Sequence, residues 1–136
     1  CTLTLRPYLS LRPFPGRQLL TKLRLDDMPW RSLPRNSQGL YVCPVCLRLI
    51  SSHKTHFLLH CKPLEMIRRA FRGRLPSLTQ RRATRDKRVA CILLSGYRAS
   101  DPTHILAAGA FVAALWARRQ ELSRQPSSAH QFTPVF

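Results

Sequence analysis

Acidic residues are scarce in this chain. Six Asp and Glu stand against 23 Lys and Arg in 136 residues, giving a net charge of +17. No acid precedes Asp26, and after Asp27 only Glu65, Asp86, Asp101 and Glu121 follow. Long apolar runs are also missing. The longest, Ile105 to Ala117, has thirteen residues, whereas a bilayer span takes about 20, so no membrane helix is expected. No basic-then-apolar leader is visible, and the chain, which begins at Cys1, reads as a piece of a longer polypeptide. With five glycines and eleven prolines, it is broken into short elements rather than flexible linkers.

The shortage of carboxylates bears on catalysis. Two-metal phosphoryl transfer draws its ligands from separate parts of a fold, and Asp26-Asp27 has no partner acid upstream. A polymerase box also carries an aromatic residue two positions before its first Asp, where this chain has Arg24. Asp26-Asp27 therefore reads as a helix-ending turn. Cys91 lies in an apolar run, Cys1 has no identifiable base, and His104 opens a helix without a partner. No catalytic residue is assigned, and the chain is not read as an enzyme by itself.

Positive charge is what the sequence has in excess, and 19 of the 23 basic residues are Arg. A pI near 11.5 is the footprint of a polyanion binder. A compositional bias of the genome is the alternative cause, but such a surface still attracts phosphates in a salt-dependent manner. The densest run is Arg68, Arg69, Arg72, Arg74, Arg81, Arg82, Arg85, Lys87 and Arg88, against Asp86 alone. Arg68, Arg69, Arg72, Arg74, Arg81 and Arg82 are the candidate phosphate contacts, supplying affinity rather than sequence readout. Tyr41 and Phe57 are candidates to stack on unpaired bases, with core packing favoured for Phe57.

Three of the five cysteines and three of the five histidines fall between residues 43 and 61. Thiolate and imidazole are the ligands of structural Zn2+, which takes four of them tetrahedrally. Two sets fit. Cys43, Cys46, His56 and Cys61 are separated by two, nine and four residues. In the other set His60 replaces Cys61, one helical turn from His56. The third thiol favours the first set, because left free beside bound zinc it competes for the same position. His53 is the weakest candidate. An odd cysteine count clustered with histidines argues for metal over disulfides and for a reducing compartment, hence an intracellular protein of nucleus or cytoplasm.

The order along the chain gives five segments. Residues 1–16 are an irregular lead-in. Residues 17–75 form the metal module: a helix over Arg17–Leu25 with Leu19, Leu20 and Leu23 inward, stopped before Pro29; a polar connection over Trp30–Gly39; a short strand at Leu40–Val42; a helix from Thr55; and another over Leu64–Arg72. Residues 76–88 are a basic linker. Residues 89–122 form a C-terminal helical region. There Ser100-Asp101-Pro102 starts a helix with Ile105, Ala108, Val112, Leu115 and Leu122 on one stripe. Residues 123–136 read as a disordered tail. The fold class expected is mostly α, a small irregular zinc-stabilised module with short helices and no large sheet.

Cys43-Pro-Val-Cys46, Thr55-His-Phe-Leu-Leu-His-Cys61 and Met66-Ile-Arg-Arg69, preceded by Leu19-Leu-Thr-Lys-Leu-Arg-Leu25, resemble the C-terminal zinc-knuckle region of reverse transcriptases from non-LTR (LINE-type) retrotransposons. The resemblance covers residues 17–72. It implies His56 and Cys61 as the matching ligands, with His60 at the variable position, and a parent polypeptide with RNA-directed DNA polymerase activity. The loop Leu47–Thr55 departs from the family, which usually has acids there; this chain has Arg48 and Lys54. The function expected is a nucleic-acid-binding zinc knuckle contacting RNA or DNA through phosphates. The alternatives are a zinc-stabilised protein-interaction module docking through residues 105–122, or a decayed element fragment without activity.

Overall fold

A computed structural model describes residues 13–75, 78 and 102–124. The apolar run Val89–Leu94, Arg81, Arg82 and residues 125–136 lie outside them. Helix α1 (Arg17–Arg24) forms as the leucine spacing predicts, with Leu20 and Leu23 fully buried. Arg24 is buried too. The helix ends in a Schellman arrangement. Asp27 N–H bonds the Lys22 carbonyl at 2.8 Å and Asp26 N–H that of Leu23 at 3.2 Å, with Asp26 left-handed at φ 56°. Glycine usually fills that position, and Asp is one of the few other residues that tolerate it.

The polar connection expected after Pro29 is instead a 3-10 turn, Pro29–Ser32, that buries Trp30. Strands β1 (Tyr41–Val42) and β2 (Leu49–Ile50) pair antiparallel, with Tyr41 opposite Ile50 and Val42 opposite Leu49. A short helical turn, α2 (His53–Thr55), starts where the Ser52 hydroxyl accepts from Thr55 N–H, and it widens into a π turn over His56–His60. A 3-10 turn (Lys62–Leu64) leads into α3 (Glu65–Phe71). Helix α4 spans Pro102–Arg124, so Ser123 and Arg124, expected in the tail, belong to it. The described architecture is mostly helical with one two-residue hairpin.

Helix α4 packs on α1 and α3. Its stripe of Ile105, Ala108, Phe111, Val112 and Leu115 is at most 2% exposed, so these five residues of the segment 105–122 are used in the core. Gly16 and Gly109 let α1 and α4 meet backbone to backbone. A methyl built on Gly16 would collide with the Gly109 carbonyl. Further along, Arg119 lies over both Trp30 (5.3 Å) and Trp116 (5.4 Å). Each such contact contributes about 0.5–2 kcal/mol and ties α4 to the metal module. Among the described residues no helix is long and apolar enough to cross a membrane.

Candidate metal centre

Two chain segments deliver the ligands. The hairpin turn is closed by Leu47 N–H to the Cys43 carbonyl (2.8 Å) and Cys43 N–H to the Arg48 carbonyl (2.9 Å). This brings Cys43 and Cys46 to one side. Reversing the chain there places Leu47 in the left-handed region at φ 63°. The second segment is the π turn, in which Cys61 N–H bonds the His56 carbonyl at 2.8 Å. An i→i+5 bond closes residue 61, rather than residue 60, onto residue 56. Such turns are rare and concentrate at functional sites.

The result is one group of four donors, Cys43, Cys46, His56 and Cys61, whose ligand atoms all lie within 4.8 Å of one another. The two thiols Cys43 and Cys61 are 4.0 Å apart, and Cys46 Sγ is 3.2 Å from His56 Nε2. With Zn–S near 2.3 Å and Zn–N near 2.0 Å, the edges of a zinc tetrahedron are about 3.5–3.8 Å, so these separations bracket what a bound ion imposes. Cys43, His56 and Cys61 are buried and Cys46 is partly so, the closed character of a structural site. His60 is exposed and outside the group. His53 is buried but outside it as well, its ring stacked 5.8 Å from that of Trp30.

The thiols are electrostatically unequal. The S–H of Cys61, directed at Cys43, lowers the Cys43 thiol to about 3 despite its burial. Cys61 is pushed up by that same bond, by burial and by the charge beside it. Burial pushes Cys46 up. A cation displaces the thiol protons on binding, since the thiolate is the metal-ligating form. Three thiolates and one imidazole around a divalent ion carry one net negative charge. Burial lowers Arg119, and the Cys43 and Cys61 charges act on it in the opposite sense, which makes it a compensating cation for the centre.

Arg68 departs from the expected phosphate set. It is 3% exposed and donates from Nε to the Leu58 carbonyl (3.0 Å) and from Nη2 to the Phe57 carbonyl (3.4 Å). Its Nη1 bonds Glu65 at 2.9 Å. The guanidinium therefore holds the wide turn that carries His56 and Cys61. Burial lowers Arg68, against Glu65, which raises it. Arg72 is half-buried and donates to the other Glu65 oxygen at 2.7 Å. Arg69 and Arg74 are exposed, Arg74 lying 4.5 Å over the Phe71 ring. Tyr41 is half-buried, its hydroxyl accepting from Arg35 Nε at 2.7 Å and its ring 4.5 Å from that of His53. Phe57 is in the core.

Trp30, Arg119 and Arg35 are the residues around this centre that sequence reasoning did not single out. A tryptophan directly after proline in a polar stretch was the available signal for the first. No family model matches the chain, and neither a curated protein nor a solved structure matches it.

Proposed function

We propose that this chain is a nucleic-acid-binding module built on a structural Zn2+ held by Cys43, Cys46, His56 and Cys61, without a catalytic site of its own. Its likeness to the C-terminal knuckle of non-LTR retrotransposon reverse transcriptases supports a parent polypeptide of that class. Thiolate-rich tetrahedral sets select zinc over harder divalent ions. The observation that carries the binding role is the charge on the ligand loops. Exposed Arg48 follows Cys46 by two residues, and exposed Lys62 adjoins Cys61. Glu65, four residues after Cys61, is paired with Arg68 and Arg72. Exposed Arg69 reaches the same carboxylate only at 3.9 Å, and Arg48, Lys62 and exposed Arg74 have no ion-pair partner among the described residues, so this surface presents cations around the metal.

Two measurements test this reading. Thiol-reactive zinc release from the purified chain is expected to yield one equivalent. Cys61→Ser is expected to lose it and His60→Ala to keep it; wild-type zinc affinity in Cys61→Ser overturns the ligand set. Affinity for single-stranded RNA and DNA should fall steeply with salt, with a log–log slope of about −0.7 per phosphate contacted. A flat salt response rejects phosphate contact.

A further inference from the structure

Beside the metal centre lies a polar cavity of about 250 Å³, walled by Tyr41, Arg31, Arg35, Lys54, Asp26 and His53 among others. The metal ligands fix two of those walls: Tyr41 stands two residues before Cys43, and His53 three before His56. Pockets for drug-sized ligands run to about 300–1,000 Å³, so this one suits a single nucleotide unit and not a longer segment. Its chemistry is mixed in a specific way. Arg31, Arg35 and Lys54 supply three cations, and Arg35 spends its Nε on Tyr41 while its Nη groups carry the remaining donors. His53 Nε2 is buried and finds no hydrogen-bond partner among the described residues. Leaving such an atom unmet costs about 1–3 kcal/mol.

Asp26 is the only acid among the lining residues. In a pocket that only gripped phosphate, a carboxylate would oppose binding. It is productive if the ligand also carries a hydroxyl donor. We infer that this cavity is a subsite for one unpaired ribonucleotide of a bound strand. Arg31, Arg35 and Lys54 face its phosphate, and the Asp26 carboxylate accepts from its ribose 2′-hydroxyl. The 2′-hydroxyl is the group by which a protein distinguishes RNA from DNA at a single position. A site built around a hydroxyl discriminates strongly against the analogue lacking it. The inference rests on the nucleic-acid reading above and narrows it to RNA.

The substitution that tests it is Asp26→Gly in the zinc-loaded chain. Because Asp26 is left-handed at φ 56°, glycine keeps or improves the turn, so lost folding does not confound the result. The probes are a ten-residue oligoribonucleotide, the same sequence as DNA, and its 2′-O-methyl form, measured by fluorescence anisotropy. The wild-type chain should favour the ribonucleotide strand by about fivefold or more over both others. Asp26→Gly should bring the ratio towards one without weakening DNA, since it removes a negative charge. Arg35→Ala should weaken all three strands. A wild-type ratio near one, or a ratio unchanged in Asp26→Gly, overturns the subsite while salt-dependent binding of all strands keeps the broader reading. Absence of binding to any strand at low salt rejects both.

Discussion

Arg68 Nε donates to the carbonyl oxygen of Leu58 at 3.0 Å, inside the turn that carries His56 and Cys61. The most basic stretch of the chain thus contributes a buried cation to the support of its metal centre. Removing it takes the guanidinium donors from the Leu58 and Phe57 carbonyls and one of two close arginines from Glu65, which keeps Arg72. Arg68→Ala is expected to destabilise the zinc-loaded protein by about 1.5–3 kcal/mol, the range for lost hydrogen bonds to a charged group. Arg68→Lys should recover only part of this, because an ammonium cannot reproduce the planar fork. Urea denaturation with zinc-release titration checks both; an Arg68→Ala protein of wild-type stability removes the supporting role.

Leu47 occupies the left-handed region at φ 63° with its side chain 39% exposed, so little packing offsets the backbone cost. Leu47→Gly is expected to stabilise the fold by about 0.5–1 kcal/mol, with no loss of zinc affinity. Thermal or urea unfolding of the zinc-loaded protein reads this directly.

What could be read from the sequence was what residue type and short-range spacing encode. The four candidate ligands were marked by residue chemistry, and the apolar stripes of α1 and α4 by helical period. Cys61 against His60 was harder, because side-chain spacing assumes an α-helical turn, whereas the chain closes residue 61 on residue 56 through an i→i+5 bond. Arg68 was indistinguishable from its neighbours in a basic run; only the carbonyls that face it in three dimensions separate it. Trp30 carried no periodicity, since its partners His53, Phe57 and Trp116 come from distant parts of the chain.

Glu65 links stability to pH. Burial pushes its carboxyl up, but the bonds from Arg68 and Arg72 outweigh this and hold it below its ordinary value. A depressed folded-state pKa means that the stabilisation is complete above the unfolded value of about 4.3. It is lost as pH falls through the lower, folded-state value. Glu65→Gln should therefore be less stable than wild type at neutral pH, and the gap should narrow as pH falls through that window. Both proteins also lose metal in acid as the thiolates protonate, so the comparison is made by subtracting one unfolding curve from the other. A gap that stays constant from neutral pH down through the window contradicts the assignment.

The contact of α1 with α4 turns on two glycines from opposite ends of the described chain. A methyl on Gly109 would stand 2.5 Å from the Pro15 carbonyl oxygen and 2.7 Å from the Phe14 ring. The first of these is backbone and cannot rotate away. Accommodating it means moving α4 off the lead-in to α1, and with it the stripe from Ile105 to Leu115 that fills the core. Gly109→Ala should cost at least about 2 kcal/mol, within the range for overpacking, although alanine is the better helix former by about 1 kcal/mol. Gly73 supplies the control, because a methyl there meets nothing within 4 Å. Gly73→Ala should be neutral or stabilising by up to about 1 kcal/mol through the unfolded chain. Urea unfolding of the two variants side by side separates the general glycine-to-alanine effect on the unfolded chain from steric fit. If Gly109→Ala matches Gly73→Ala, the two helices do not meet backbone to backbone.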